Sequence, residues 1–369
     1  MGQLFLTIAL YTIFMEFSLF YFDGDGTLPQ PDKYKLLIES AKFGDRHNFA
    51  AIWTPERHFH AFGGLYPNPA LTSAALATVT EKIQLRSGSV VMPLHHPVRV
   101  AEEWAVIDNL SNGRVGVAFA SGWTMDEFIL SSAPHSERKD LMWRGIEQVH
   151  QLWRGEAVEF TDVAGKTVQA QTLPKPLQSK LPTWIACQSP GTFIEAGKRG
   201  FNILTSLLGE TLEEIAPKIQ LYRQALAEHG HNSSQAKVTL MTHTFLGDDI
   251  DHVRKKVKQP FSNYLKNHYG LLENLAKGMG INVSIKDFSQ DDMQSLLEFG
   301  VEGFINGRSL IGTPTSCLPF VTELENVGVN EIACLIDFIQ DIDLVMESLN
   351  YVKQLRSNYQ LSLMDEMFV

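Results

Sequence analysis

The chain of 369 residues is 44% apolar and 20% charged, which is enough apolar sequence to bury a large core in one or two domains. Its net charge of -11, with scattered basic residues, disfavours binding to a nucleic-acid phosphate backbone. Cys187, Cys317 and Cys334 have no CxxC spacing, so we expect neither a zinc knuckle nor a disulfide framework, and a reducing cytoplasmic location.

The first fourteen residues, MGQLFLTIALYTIF, form an uncharged apolar run. This run lacks the basic start and the small-residue cleavage site of a signal peptide. It is also short for a membrane-spanning helix. We therefore expect residues 1–14 to be an N-terminal extension, and we expect no membrane partner.

Apolar runs of strand length alternate with amphipathic runs of helical length after Met15, which is typical of a parallel sheet covered by helices. The predicted strands are residues 17–22, 49–53, 83–91, 115–120, 183–187, 203–204, 238–247 and 331–336. The predicted helices include residues 32–47, 99–110, 143–153, 211–229, 250–265 and 343–355. Eight such strands predict an α/β fold, a closed (β/α)8 TIM barrel.

Two segments interrupt this alternation. Residues 155–181 are polar and contain proline, which is typical of a short hairpin. Residues 262–312 are longer than a strand-to-helix connection needs, so we expect an insertion or lid above the barrel mouth, before the last strand. The predicted organisation is one barrel over residues 15–360 that contains this insertion.

Several motifs resemble the bacterial-luciferase-like family of flavin-dependent monooxygenases. The matching strings are ERHFH at 56–60, YPNP at 66–69, HHPVR at 95–99, SNGR at 111–114, CQSPGT at 187–192 and IGTP at 311–314. The resemblance covers about residues 15 to 355. It is closest to the branch associated with natural-product biosynthesis, beside nonribosomal-peptide and polyketide assembly lines.

The resemblance implies an enzyme, a monooxygenase to which a separate flavin reductase supplies FMNH2. It implies that O2 adds to the flavin as a C4a-(hydro)peroxide, and that a small-molecule or carrier-protein-bound substrate is then oxygenated. It also implies a homodimer. Two alternatives stay open: a deazaflavin-dependent oxidoreductase that transfers hydride, and a non-catalytic flavin-binding subunit. No GxGxxG motif follows the first strand, so no dinucleotide site is predicted.

The predicted catalytic residues are Glu56, Arg57 and His58, which follow the second strand and should face the barrel mouth. In the family pattern the position of Arg57 is a histidine with a catalytic role, and this sequence departs from it. His58 can exchange a proton near neutral pH, or it could instead bind loop backbone and orient Glu56. Arg57 could hold the flavin pyrimidine or a substrate carboxylate or phosphate, or could pair with Glu56.

Three predicted contacts to the flavin ring come from the second and third strands. Asn68, between two prolines, is either a polar contact to the ring or a helix N-cap. The resemblance implies a non-prolyl cis peptide beneath the ring, at the bond between Gly88 and Ser89. The alternative is that these small residues only relieve packing in the barrel.

Ser121 and Gly122 end the fourth strand at the mouth, and Ser121 replaces an arginine that binds phosphate in some family members. Gln188, Ser189 and Thr192 match positions that line the flavin phosphate. The helix that follows them would present free backbone N–H groups to the phosphate. We therefore place the phosphate at the end of the fifth strand.

The adjacent histidines His95 and His96 do not predict a metal site, because neighbouring residues on an extended segment point to opposite sides. An apolar wall is expected around the flavin, because reduced flavin and oxygen must be shielded from water. Its predicted members are Met92, Phe119, Trp123, Leu207 and Leu208.

Overall fold

The computed structural model describes residues 15–22, 32–267, 288–307 and 309–367. The predicted extension at 1–14 and residues 268–287 of the predicted insertion lie outside the described residues. The described strands are β1 (Glu16–Phe20), β2 (Ala51–Thr54), β3 (Gln84–Val91), β4 (Val115–Ala120), β5 (Val158–Thr161), β6 (Thr167–Ala170), β7 (Thr183–Ala186), β8 (Asn202–Ser206), β9 (Val238–Leu246), β10 (Leu310–Gly312) and β11 (Glu331–Leu335).

The described helices cover the strands from outside, and short 3-10 turns occur over Met92–Leu94, Met125–Leu130 and His135–Glu137. The helices are α1 (Lys35–Arg46), α2 (Pro69–Ala77), α3 (Pro97–Leu110), α4 (Arg138–Trp153), α5 (Pro190–Lys198), α6 (Leu212–Glu228), α7 (Ile250–Asn267), α8 (Gln290–Ile305), α9 (Pro314–Asn326) and α10 (Ile342–Met367). Among the described residues, no helix combines the length and the apolar character needed to span a bilayer.

Eight parallel strands close into a barrel in the order β1-β2-β3-β4-β7-β8-β9-β11, and β11 pairs back with β1. Each of these strands is followed by a helix, so the predicted (β/α)8 fold is confirmed. β5 and β6 form the predicted antiparallel hairpin. β10 pairs with the end of β9, outside the ring.

The barrel strands are short and buried almost throughout, as in β9, where all nine residues are buried. Such continuous burial is typical of parallel strands with side chains inside the barrel and helices outside it. Active sites in these folds lie on the loops at the carboxyl ends of the strands. The carboxyl ends of β2, β3, β4 and β7 therefore form the part of the mouth where the predicted site residues lie.

A buried ion pair occupies the opposite part of the barrel interior, near the amino ends of the strands. Arg86 Nη1 lies 2.7 Å from Glu331 Oε2, and both side chains are buried. The Arg86 guanidinium lies 4.8 Å from the ring centroid of Trp53 and 4.2 Å from that of Trp184. Burial would raise the pKa of Glu331, but the Arg86 charge holds that pKa below its ordinary value. The groups at this end of the barrel therefore contribute to the stability of the fold and not to a reaction.

The described part of the predicted insertion contains the end of α7, helix α8 and strand β10. α8 begins at a capping box between Ser289 and Asp292 and packs against α7. The sequence analysis did not predict α8, β10 or the following helix α9. A three-residue strand such as β10 is too short for a periodic pattern, so its pairing with β9 depends on the closed barrel.

Candidate active site

Glu56 lies just after β2, and its carboxylate is fully buried. Its Oε1 lies 2.9 Å from His58 Nε2 and 2.6 Å from His95 Nε2. Its Oε2 accepts a hydrogen bond from the Val91 backbone N–H at 2.7 Å. The loops after β2 and β3 therefore meet on one carboxylate at the mouth of the barrel.

The negative charge of Glu56 and the positive charge of a protonated His95 stabilise each other. Burial alone would raise the pKa of Glu56, but hydrogen bonds from His58 and His95 hold that pKa below its ordinary value. Burial likewise opposes charge on His95, yet the hydrogen bond and charge of Glu56 raise the pKa of His95. The cluster therefore keeps an ionised carboxylate beside an imidazole that holds its proton more tightly than a free one.

His58 is fixed at two points. Its ring contacts Glu56, and its backbone N–H donates to Glu127 Oε1 at 3.3 Å. The His58 side chain is 14% exposed, so it lies at the edge of the buried cluster. Glu127, in the 3-10 turn after β4, is almost completely buried.

Arg57 does not pair with Glu56, which was one of its predicted alternatives, because both Glu56 oxygens are bonded to other groups. Its guanidinium lies 5.0 Å from the ring centroid of Trp123 and 5.6 Å from those of Phe22 and Phe62. Burial lowers the pKa of Arg57, against the opposing charge of Glu127.

The peptide bond between Gly88 and Ser89 is cis, as the sequence resemblance implied. The pairing of β3 with β4 shifts at this point, so that two residues of β3 oppose one residue of β4. A Cβ atom on Gly88 would lie 2.6 Å from Phe20 Cε2. Glycine is therefore required for packing inside the barrel, whatever its role toward a ligand.

Gly122 follows β4 with a positive φ of 79°, and a Cβ atom there would lie 2.9 Å from Val91 Cγ1. Both constraints favour glycine at this position. Ser121 beside it is half-buried. The end of β4 therefore presents small residues to the mouth.

The predicted apolar wall is only partly as expected. Phe119 and Leu207 are buried and Leu208 is half-buried, whereas Trp123 is 67% exposed. Met92 packs against α4, since a Cβ atom on Gly145 would lie 2.7 Å from Met92 Cγ. Met92 is therefore buried under α4, and its place in a wall around the flavin stays a prediction.

Ser189 is the N-cap residue of α5, but its hydroxyl makes no capping hydrogen bond. Instead Ser189 Oγ lies 2.9 Å from Thr192 Oγ1. Gln188 is exposed, and its carbonyl oxygen accepts a hydrogen bond from Lys218 Nζ at 2.8 Å. Two hydroxyls thus lie together at a helix N-terminus after β7, where the sequence analysis predicted them.

Asn68 caps α2, because its Oδ1 accepts hydrogen bonds from Ala70 N–H at 2.8 Å and Leu71 N–H at 3.4 Å. The N-cap alternative is confirmed. A contact from its amide nitrogen to a flavin ring stays a prediction.

A family model described as "Luciferase-like monooxygenase" matches residues 15–331. The chain belongs to the luciferase-like monooxygenases. It is similar to the oxygenase component of the flavin-dependent trigonelline monooxygenase of Acinetobacter baylyi, at 28% identity over 69% of this chain and 71% of the relative. It is also similar to an alkanal monooxygenase alpha chain of Photorhabdus luminescens, at 23% identity over 87% of this chain and 90% of the relative.

Solved structures share the fold of this luciferase-like monooxygenase. Monooxygenase RslO1 from Streptomyces bottropensis matches with a TM-score of 0.77 and 20% identity, covering 92% of this chain and 98% of that one. The oxygenating constituent of 3,6-diketocamphane monooxygenase from Pseudomonas putida, in complex with FMN, has a TM-score of 0.74 and 18% identity, over 92% and 97%. An F420-dependent secondary alcohol dehydrogenase has a TM-score of 0.66 and 15% identity, over 93% and 98%.

This luciferase-like monooxygenase is an oxidoreductase that uses a flavin, O2 and a small-molecule substrate. Its mouth fits a flavin. The paired hydroxyls of Ser189 and Thr192 can hold a phosphate, and a Cβ atom on Gly191 would meet open space. Gly122 leaves the position after β4 without a side chain.

Three residues of the site were not predicted: His95, Glu127 and Lys218. The adjacent histidines do diverge, because His96 Nδ1 accepts from Val98 N–H at 3.3 Å while His95 reaches Glu56. The same alternation that argued against a metal could have assigned His95 to the mouth. Within the described ranges, no group of three acidic, histidine or cysteine side chains is arranged to hold a metal ion.

Proposed function

We propose that this chain is the oxygenase component of a two-component monooxygenase that uses FMN reduced by a separate flavin reductase. The single observation that supports FMN most strongly is the Ser189–Thr192 hydroxyl pair at the start of α5. Reduced FMN supplies the two electrons with which one atom of O2 enters the substrate and the other becomes water. The residues of the chain bind, orient and exchange protons around it.

The end of β7 would hold the phosphate of FMN. Ser189 Oγ and Thr192 Oγ1 would donate to its oxygens, and the partial positive charge of the α5 N-terminus would attract the anion. Gln188 borders the same position, and Lys218 holds the Gln188 carbonyl in place. A monophosphate suits this set of donors, because hydroxyl and backbone N–H groups both act as donors to its oxygens.

The ends of β3 and β4 would hold the ring of FMN. Gly88, Ser89, Ser121 and Gly122 would lie against it because their small size allows close approach, and Asn68 would contribute its amide nitrogen. Phe119 and Leu207 add buried apolar surface behind these residues. Apolar surface around the ring excludes water, and this limits the loss of reducing equivalents in side reactions.

His58 is the proposed catalytic residue, and Glu56 holds it. With His58 Nε2–H directed at Glu56 Oε1, the other ring nitrogen, Nδ1, is the atom that accepts and returns a proton during the reaction. The ionised Glu56 stabilises the protonated ring when Nδ1 carries the proton. His95, on the same oxygen, positions Glu56.

In our proposal the substrate is a small molecule that a carrier protein of natural-product biosynthesis presents to the enzyme. The described part of residues 262–312 belongs to a lid over the mouth of the barrel. The active unit is a homodimer in a cytoplasmic setting. Support for the dimer comes from exposed apolar side chains on the outer helices: Leu71 on α2 is 68% exposed, and Leu110 on α3 is 54% exposed. Cys187, Cys317 and Cys334 are free thiols, which is consistent with reducing conditions.

Hydride transfer with F420 is the second candidate, and only a shared fold supports it. The monooxygenase family match and two oxygen-using relatives favour FMN and O2.

Stopped-flow mixing tests this proposal. FMN is reduced without oxygen, bound to the protein and mixed with oxygenated buffer, while the absorbance of oxidised flavin is followed. We expect that absorbance to return more slowly than for the same concentration of reduced FMN without protein. Return at the rate of free FMN would contradict the proposal.

A further inference from the structure

Arg57 carries a buried positive charge that the proton chemistry described above does not use. The residue is 6% exposed, and its Nε and Nη1 atoms are buried without a hydrogen-bond partner among the described residues. A buried cation normally pairs with an anion, because removing a charge from water is costly. Two of the donor atoms of Arg57, Nε and Nη1, are therefore unsatisfied.

Neither Glu56 nor Glu127 forms a hydrogen bond with the buried Nε and Nη1 atoms of Arg57. Both oxygens of Glu56 bind His58, His95 and the Val91 N–H. Glu127 attracts Arg57 by its charge, but its Oε1 accepts from the His58 N–H. Among the described residues no carboxylate forms an ion pair with Arg57, so its buried donors are available to an anionic ligand.

Aromatic rings hold the guanidinium in place. Phe22, Phe62 and Trp123 lie within 5.6 Å of it, measured to their ring centroids. Such rings attract a cation through their faces and leave its N–H donors available for an anion. Because Trp123 is 67% exposed, this aromatic cage borders solvent at the mouth.

We propose that Arg57 binds an anionic group of the substrate, a carboxylate or a phosphate, through charge-assisted hydrogen bonds. The identity of this ligand as a substrate rests on the proposed function. FMN has its negative phosphate at α5, after β7, and β7 is three strands from β2 in the ring. The anion site at Arg57 is therefore separate from the phosphate site, and the substrate is the ligand that remains to fill it.

Isothermal titration with matched probes tests this inference. Benzoate and phenyl phosphate are anionic, whereas benzamide has nearly the shape of benzoate without its charge. Each probe is titrated into FMN-loaded and flavin-free protein. We expect one of the two anions to bind about tenfold more tightly than benzamide, the ratio for one charge-assisted contact, and the tighter anion distinguishes a carboxylate from a phosphate.

Variants separate recognition from folding. Arg57→Met should abolish the preference for the anion, and Arg57→Lys should retain part of it. Arg99→Met is the matched control, because Arg99 is an exposed arginine paired with Glu103 on α3, and we expect it to bind all probes as the wild type does. FMN affinity is measured for every variant.

Three results would overturn the inference: equal binding of benzoate, phenyl phosphate and benzamide, no binding of either anion, or an anion preference that survives Arg57→Met. A weaker FMN affinity in Arg57→Met with an unchanged anion preference would also overturn it, and would assign Arg57 to the flavin. If the wild type fails to bind FMN, the proposed function fails, while the flavin-free titration still decides the role of Arg57.

Discussion

Glu56 contacts His58 and His95 through a single oxygen atom, Oε1. A carboxylate shared in this way fixes the direction of both rings, since each must point a nitrogen at the same atom. Its other oxygen is bound by the Val91 N–H, so the carboxylate cannot rotate without breaking all three contacts. The position of His58 is thus determined by residues on two neighbouring barrel loops.

Replacing His58 by alanine should lower the fraction of consumed O2 that appears in product, because the proton-exchanging Nδ1 is lost. The fold should be retained, because the ring lies at the edge of the buried cluster. Oxygen consumption and hydrogen peroxide release, measured together, report this coupling. His96→Ala is the control, since His96 caps α3 and does not contact Glu56 in the described residues. Unchanged coupling in His58→Ala would exclude His58 from the mechanism.

The His95–Glu56 pair should make stability depend on pH. His95 has a pKa raised above 6.5, so its contribution is complete below that value and is lost as pH rises through the folded-state pKa. Glu56 has a pKa lowered below 4.5, so its contribution is lost only as pH falls through that lower value. The pair is strongest between pH 4.5 and 6.5.

His95→Gln keeps a hydrogen-bond donor for Glu56 and removes the titration. The difference in unfolding free energy between wild type and His95→Gln, measured by urea denaturation, should be largest in this window and should shrink above pH 6.5. A difference that stays constant from acid to alkaline pH would show that His95 carries no linked charge.

The residues of the loop after β2 were predictable because they follow an apolar strand directly, and strand ends define the mouth. His95 was missed because its partner is thirty-nine residues earlier in the chain and only barrel closure brings the two together. The partner of the Arg57 side chain could not be predicted from the sequence either. Whether it paired with Glu56 depended on which groups occupied that carboxylate.

At the level of elements, the start of α5 combines an uncapped N-terminus with two hydroxyls. In α2, α6 and α9 the N-cap side chain accepts a hydrogen bond from its own helix, as Thr211 does in α6. In α5 the Ser189 hydroxyl contacts Thr192 instead. The first turn of α5 therefore offers the Gly191 N–H to an anion, because Pro190 has no N–H and the Thr192 N–H donates to the Ser189 carbonyl at 3.0 Å.

Replacing Ser189 and Thr192 together by alanine should raise the dissociation constant for FMN about tenfold, because two donors to the phosphate are lost. Riboflavin, which lacks the phosphate, should bind wild type and variant equally. Fluorescence titration measures both ligands. Thr78→Ala with Ser234→Ala is the control, since both residues are exposed on loops at the opposite end of the barrel. Unaltered FMN affinity in the α5 variant would remove the phosphate assignment.

The barrel strands were predicted closely because each is a compact apolar run between polar segments. β4 was predicted over its observed residues, and β9 to within one residue. β8 was predicted too short, because Thr205 and Ser206 are polar and yet buried. Helix α8 was missed because residues 262–312 were interpreted as one insertion, whereas they contain a separate helix that packs on α7. Helix α9, which packs on α10, follows that segment and had no predicted counterpart.

Across the whole molecule, the two ends of the barrel carry different groups. Near the amino ends, Arg86 and Glu331 form a buried pair between Trp53 and Trp184. At the carboxyl ends, Glu56 and Arg57 lie on loops. Substitutions near the amino ends of the strands should therefore alter stability, and substitutions at the carboxyl ends should alter binding and turnover.

Arg86→Met should lower the free energy of unfolding by about 3–5 kcal/mol, because it leaves the Glu331 charge buried without its partner. Combining Arg86→Met with Glu331→Gln should recover part of that loss, since no charge then remains buried. Urea denaturation measures both variants. Arg154→Met, which breaks the exposed pair with Glu156, is the control and should unfold as the wild type does. A single variant as stable as the control would contradict a structural role for the pair.

In the proposed function the mouth of this barrel binds FMN for chemistry with O2. Anaerobic titration of the protein with reduced FMN, and separately with reduced F420, measures this binding. We expect one molecule of reduced FMN to bind per chain, at least about tenfold more tightly than F420, as one additional charge-assisted hydrogen bond to the terminal phosphate of FMN would provide, since the phosphate of F420 is a diester. Tighter binding of F420, or no saturable binding of reduced FMN, would contradict the account.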